Sequence, residues 1–310
     1  MLKMTPRILI TPKINPDLDG VACVYAYSYL LNKKSKNTTG GIFGKLHIEA
    51  QYIIDRFKIT DISYSPADNF DKFILVDMSE LAGCPEVVRA KDVIEVIDHR
   101  EFNKASKSFP NAKIQIEKVG AAATLITERY YDENIKIDRN SAILLYSAIF
   151  SNSLNFKAKV TSEKDKKMVK WLEKQAEIPN GLIHDMFLAK TKFSEENLSE
   201  VLKGDSKEYV FGNKKIGITQ LEIAELENLV RNNLSQILKI LNEFKQEKDL
   251  SMAFLTSCDL EKDFNLFVTS DKEMQELLEK IFKVDFKDNV ARRDGLILRK
   301  EIIPLVIRNT

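Results

Sequence analysis

The segment Asn15-Pro16-Asp17-Leu18-Asp19-Gly20 has the clearest chemical potential in this chain. Two aspartates at i and i+2, on a turn that leaves an apolar strand and opens a helix, can aim their carboxylates into one cleft. Clustered carboxylates repel one another and persist chiefly where a cation neutralises them. The free N–H groups at such a helix start can hold a phosphate. Alone, Asp-x-Asp-Gly also describes an ordinary surface turn, so its weight comes from the ordered series of groups further along the chain. Asp77 closes the apolar run FILVD, and Asp98-His99-Arg100 closes VIEVID. Gly120-Ala121-Ala122-Ala123-Thr124 is a small-residue helix start. Ser151-Asn152-Ser153 comes after an apolar helix, with Phe156, Thr161 and Asp165 behind it. Only three histidines are present, His47, His99 and His184, which argues strongly against a zinc site of several histidines. A metal here must lean on carboxylates, which suits Mg²⁺ or Mn²⁺. His47 and His184 read as surface residues.

The elements that would position these groups alternate. Arg7–Thr11, Phe73–Asp77, Val93–Asp98 and Lys113–Glu117 read as strands, and Val21–Leu31, Ala121–Tyr131 and Asn140–Phe150 as helices. Such alternation implies an α/β fold with a mainly parallel sheet, in which ligands bind beyond the carboxyl ends of the strands. Thr161-Ser162 followed by Asp165 is a capping-box pattern, and Pro179-Asn180-Gly181 stops the helix it begins. A second, smaller α+β domain comes next. It has a hairpin around Gly212-Asn213, an amphipathic helix from Leu226 to Phe244, a strand pair Ser251–Thr256 and Phe264–Thr269, a helix Met274–Phe282, and a last strand or two within Gly295–Ile307. The expected boundaries are 1–188, a polar linker 189–197, and 198–310.

Composition narrows the partners. Lys+Arg is 47 against 46 for Asp+Glu in 310 residues, so charge gives no reason to expect nucleic acid. Cys23, Cys84 and Cys258 form no CxxC pair, which fits a reduced compartment. The start MLKMTPRILI lacks an apolar signal core, and no apolar run approaches the roughly 20 residues of a membrane span. A cytoplasmic protein without a membrane partner is the expectation.

Taken in order, the motifs resemble those of the DHH phosphoesterases: Asp-x-Asp, a strand-end Asp, Asp-His-His, and a late Asp before Ser or Thr. LLYSAIFSNSLNFKAKVTSEKD is similar to the fourth-motif region of the manganese-dependent (family II) inorganic pyrophosphatases, and GLILRKEIIPL resembles the basic segment of their DHH-associated second domain. Exopolyphosphatases and Prune proteins are relatives of the same branch. The resemblance covers almost the whole chain. It implies one or two divalent cations, Mn²⁺ or Mg²⁺, in a cleft between two domains, with a metal-activated water attacking phosphorus. By position, Asp17 and Asp77 would serve a first metal. Asp19, bridging Asp77 and His99 would serve a second, with Asn152 at the fourth-motif position. Asp98 would orient His99. Arg299 and Lys300 would clamp phosphate, after one deletion before Pro304. Related enzymes often pair through an edge strand, so a homodimer is open.

Three departures matter. Lys13 stands where the pyrophosphatases place a histidine four residues before the first Asp, and an ammonium cannot ligate. Arg100 replaces the last His of Asp-His-His, as in Prune-type relatives, and can grip phosphate bidentately. Asn152 replaces an Asp, and its amide is a weaker ligand for a hard cation. In one reading Lys13 substitutes for the first metal and a single ion remains on Asp19, Asp77 and His99. Hydrolysis of pyrophosphate, short polyphosphate or a nucleotide is then retained in altered form, which is the expected function. In the other, the site binds a phosphorylated ligand without turnover. A nuclease of the same superfamily is disfavoured, because the only Gly-Gly pair is Gly40-Gly41 and the tail carries LRKE in place of a GGGH-like string.

Overall fold

The computed structural model describes residues 5–66, 69–100, 105–190, 197–212 and 214–309. The chain divides between Met186 and Phe187 into two compact units.

The first unit alternates strand and helix. It runs β1 Arg7–Thr11, α1 Leu18–Lys33, β2 Asn37–Ile42, α2 Ile48–Phe57, β3 Ser63–Tyr64, β4 Lys72–Val76 and β5 Val93–Asp98. A short helical turn α3 Ala105–Ser108, β6 Lys113–Ile116, α4 Ala122–Asp132, α5 Arg139–Asn152 and α6 Glu163–Gln175 follow, and α7 Leu182–Ala189 spans the boundary between the units. The six strands form one parallel sheet in the order β3-β2-β1-β4-β5-β6. That order reverses between β1 and β4, and the crevice at such a switch point is where open α/β sheets place ligands. Leu9, Ile10, Phe73, Leu75, Val93 and Val96 are buried, as strands covered on both faces require. Val21, Cys23 and Leu30 bury α1 beside the sheet.

The elements expected from the sequence did not include β2, α2, β3, α3 or α7. Asn37-Thr38-Thr39-Gly40-Gly41-Ile42 carries turn-like residues, yet it pairs with β1 as a strand. Its glycines allow close packing. A Cβ on Gly40 would lie 2.8 Å from Val24 Cγ1, and one on Gly41 2.8 Å from Leu9 Cδ1.

The second unit holds α8 Leu198–Gly204, β7 Ser206–Phe211, β8 Lys214–Ile223, α9 Leu226–Glu247, β9 Met252–Asp259, β10 Phe264–Val268, α10 Lys272–Phe282, β11 Val290–Asp294 and α11 Arg299–Ile307. Its sheet has the order β11-β10-β9-β8-β7, antiparallel except between β8 and β9, which α9 joins as a crossover. One face packs against Val230, Ile237 and Leu241 of α9, the other against Met274, Leu278, Ile302 and Val306. The strand expected within Gly295–Ile307 is instead helix α11. Its β-branched residues suggest a strand, but Ile302 and Val306, one turn apart, both enter the core, so packing overrides propensity. Of the expected linker, residues 191–196 lie outside the described residues, and α7 extends to Ala189. Among the described residues no helix is long and apolar enough to cross a membrane.

Candidate metal centre

Strands β1, β4 and β5 lie side by side, so the loops at their carboxyl ends meet. Asp17 and Asp19 come after β1, Asp77 comes after β4, and Asp98-His99-Arg100 closes β5. The segment before α1 is held by Asn15. Its left-handed backbone (φ 55°) lets its side-chain oxygen accept the Lys45 amide at 2.8 Å. Asp17 is then the N-cap of α1, accepting the Gly20 amide at 3.2 Å. Asp19, in the first turn, points inward and is fully buried.

Asp19 is fixed from across the fold. The amides of Ala122 and Ala123, at the start of α4, donate to its Oδ2 and Oδ1 at 2.8 and 2.7 Å. An anion suits a helix start. Asp77 is also fully buried, in the left-handed conformation (φ 53°) that a short polar side chain tolerates. Neither of its carboxylate oxygens accepts a hydrogen bond, although cations surround them. His99 Nε2 lies 3.5 Å from Asp77 Oδ1 and 3.7 Å from Asp19 Oδ2. The other ring nitrogen, Nδ1, faces the Val119 carbonyl at 3.2 Å, which fixes the ring and directs Nε2 to the carboxylates.

Asp98 does not touch the ring. Its Oδ1 accepts the His99 amide at 2.8 Å and Arg100 Nη1 at 3.0 Å, so it holds the main chain while Val119 orients the imidazole. An orienting role of Asp98 toward His99 would therefore act through the main chain and not through the imidazole. Arg100 also donates to the Asp77 carbonyl at 2.7 Å, with its other terminal nitrogen 3.1 Å from Asp77 Oδ1.

Lys13 lies within the cluster. Its Nζ donates to Asp17 Oδ2 at 2.9 Å and stands 3.9 Å from Asp77 Oδ2. Asn152, the last residue of α5, turns its amide nitrogen inward, donating to Asp19 Oδ2 at 2.7 Å and lying 3.4 Å from His99 Nε2. Ligation would need the oxygen there, hence a half-turn of the amide. Arg299 is buried and bonded within its own unit: its guanidinium reaches Asp205 Oδ1 and the Asp205 carbonyl at 2.5 Å each and the Ile218 carbonyl at 3.2 Å. Lys300, the next residue, is exposed.

The electrostatics arise from crowding. Burial, then the neighbouring Asp77 charge, raises Asp19 above the usual carboxylate range, and burial with Asp17 raises Asp77. Burial opposes the charged imidazole, but Asp77 and Asp19 outweigh it and raise His99. Burial also acts upward on Asp17, yet Lys13 and the Gly20 amide hold it down at about 2. Lys13 is raised by Asp17 and Asp77 against the cost of its own burial.

Asp19, Asp77 and His99 each offer a ligand atom within 4.8 Å of the others. Two carboxylates and an imidazole suit Mn²⁺ or Mg²⁺, and the buried, unbonded oxygens of Asp77 lack the partner a cation supplies. These three residues therefore fit a divalent cation. The backbone supports, the Ala122 and Ala123 amides and the Val119 carbonyl, carry no side-chain signature and were not legible in the sequence.

Two family models match the chain, the DHH family N-terminal domain over residues 7–149 and the DHHA2 domain over residues 184–308. A probable manganese-dependent inorganic pyrophosphatase from Clostridium acetobutylicum is 30% identical over 305 residues, 97% of each chain. The chain belongs to the DHH family, in its family II inorganic pyrophosphatase branch. The manganese-dependent inorganic pyrophosphatase of Bacillus subtilis is 29% identical over 306 residues, again 97% of each chain. Among solved structures, a Methanococcus jannaschii protein assigned to family II inorganic pyrophosphatases matches with TM-score 0.67 and 25% identity, over 97% of this chain and 99% of that one. An exopolyphosphatase-related protein from Bacteroides fragilis, at 12% identity and TM-score 0.51 over 99% of this chain and 92% of that one, is similar in fold.

Proposed function

We propose that this chain hydrolyses a phosphoanhydride, inorganic pyrophosphate foremost, with one divalent cation held by Asp19, Asp77 and His99. The observation that carries the reading is the convergence of those three ligands at the switch point of the sheet, with Asp77 buried and unbonded. The manganese-dependent pyrophosphatases to which the chain is similar along nearly its whole length support it. When bound, such a cation supplies Lewis acidity, acidifying water and drawing charge from phosphate oxygens.

The chain's own residues have distinct tasks. Asp19 and Asp77 accept positive charge, while the Ala122 and Ala123 amides keep Asp19 aimed. His99 presents Nε2 because Val119 holds Nδ1. Lys13 and Arg100 place permanent positive charge beside the carboxylates, where a polyanionic substrate must come to rest. Arg100, 41% exposed on its side chain, can turn part of its fork to a phosphate. Lys300 is the more available member of the expected basic pair, because the Arg299 guanidinium already serves Asp205 and Ile218.

Lys13 carries the difference from a two-cation site. Its ammonium bridges Asp17 and Asp77, the two carboxylates a first cation would need. With Asp98 and Arg100 cancelling each other, Asp17, Asp19 and Asp77 against Lys13 leave two negative charges, which one divalent cation neutralises. The same observation favours a second reading, in which the site binds a phosphorylated ligand with little turnover. Phosphate release from pyrophosphate, tripolyphosphate and ATP, each with Mg²⁺, Mn²⁺ and Co²⁺, separates them. Release from pyrophosphate with at least one cation is expected, and no release from any combination overturns the hydrolase reading.

A further inference from the structure

Asp165 is fully buried and outside the cation-holding set, yet its carboxylate is saturated with donors. Its Oδ2 accepts the Ser162 amide at 2.6 Å, the Ser162 hydroxyl at 2.7 Å and the Gly120 amide at 2.8 Å. Its Oδ1 accepts the Thr124 hydroxyl at 2.5 Å. The Ser162 bonds close the start of α6 as a capping box. The bonds to Gly120 and Thr124 have another consequence, because they fix the turn that opens α4.

Two of the three cation-holding side chains hang from that turn. The Val119 carbonyl holds the His99 ring, and the Ala122 and Ala123 amides hold both oxygens of Asp19. Asp165 binds the turn at Gly120 and Thr124, within the same short stretch. The approach is close: a Cβ on Gly120 would lie 3.0 Å from Asp165 Oδ2, tighter than side chains ordinarily sit. We infer that Asp165 is a positioning residue of the metal centre: by locking Gly120 and Thr124 it sets where Asp19 and His99 stand relative to Asp77. The inference rests on the reading that Asp19, Asp77 and His99 hold a divalent cation. Groups one shell behind metal ligands typically govern about 10–100-fold of affinity.

The test is calorimetric titration of the full chain with Mn²⁺, beside the melting temperature of the metal-free protein. Asp165→Asn keeps size but sets an N–H₂ against groups that are themselves donors. It is expected to weaken Mn²⁺ binding about 10–100-fold. Thr124→Val, which removes only one donor, should weaken it in the same direction, and Thr124→Ser should restore it. This second pair carries the test if Asp165→Asn does not fold. Ser162→Ala loosens the α6 cap but leaves the Gly120 and Thr124 bonds, so it should lower the melting temperature with Mn²⁺ affinity unchanged. Wild-type affinity in Asp165→Asn and Thr124→Val overturns the inference. Equal affinity loss in Ser162→Ala also overturns it, because a purely structural role would then suffice. A wild-type chain that binds no Mn²⁺ instead overturns the underlying reading of the metal centre.

Discussion

Replacing Lys13 by His together with Asn152 by Asp is expected to raise cation stoichiometry from one to two per chain. Lys13 lies 2.9 Å from Asp17 and 3.9 Å from Asp77. At an effective dielectric constant of about 20 these separations correspond to about 6 and about 4 kcal/mol of gross attraction. Lys13 is 32% exposed on its side chain, so screening and desolvation leave a net of about 2–4 kcal/mol. The double substitution removes that attraction and adds a carboxylate beside Asp19. Four carboxylates without an ammonium carry the charge of two divalent cations. The metal-free variant should therefore be about 2–4 kcal/mol less stable than wild type, and added Mn²⁺ should recover the loss by mass action. Metal content after gel filtration, with calorimetric titration, gives the stoichiometry, and denaturant unfolding gives the stability. Two ions bound by wild type, or one by the variant, would refute the assignment of Lys13 as a built-in cation.

Two further outcomes are expected. Asp77→Asn should abolish the Mn²⁺-induced rise in melting temperature, because it takes a charged oxygen out of the cation-holding set. Asp19 and His99 both hold protons to higher pH than free side chains do. Cation loading must displace those protons, so Mn²⁺ affinity should increase as pH rises through neutrality and beyond; calorimetry in buffers of different ionisation enthalpy should detect the release, and affinity independent of pH between about 6 and 9 would contradict it.

The acidic ligands were legible because each stands where an apolar strand ends, and strand ends are where parallel sheets gather function. Asp17, Asp19, Asp77 and His99 could thus be placed together from spacing and resemblance. The supports were not legible. The Ala122 and Ala123 amides and the Val119 carbonyl are backbone groups, and Asp165 reads as a helix cap because its bonds to Gly120 and Thr124 span long sequence separations. Gly40-Gly41 hid a strand because their value lies in neighbours, Val24 and Leu9, that only the folded sheet brings near. The segment around Pro304 suggested a strand because local β-branched character says nothing about the apolar face of the second sheet that accepts Ile302 and Val306.

The adjacency of β1, β4 and β5 has a consequence for how the chain acquires its ion. Asp19, Asp77 and His99 are far apart along the polymer, so an unfolded chain would have to close two long loops to gather them, at an entropic cost the paired strands have already met. An ion seated there would act as a rivet through three neighbouring strands, tightening the middle of the sheet after assembly rather than guiding it.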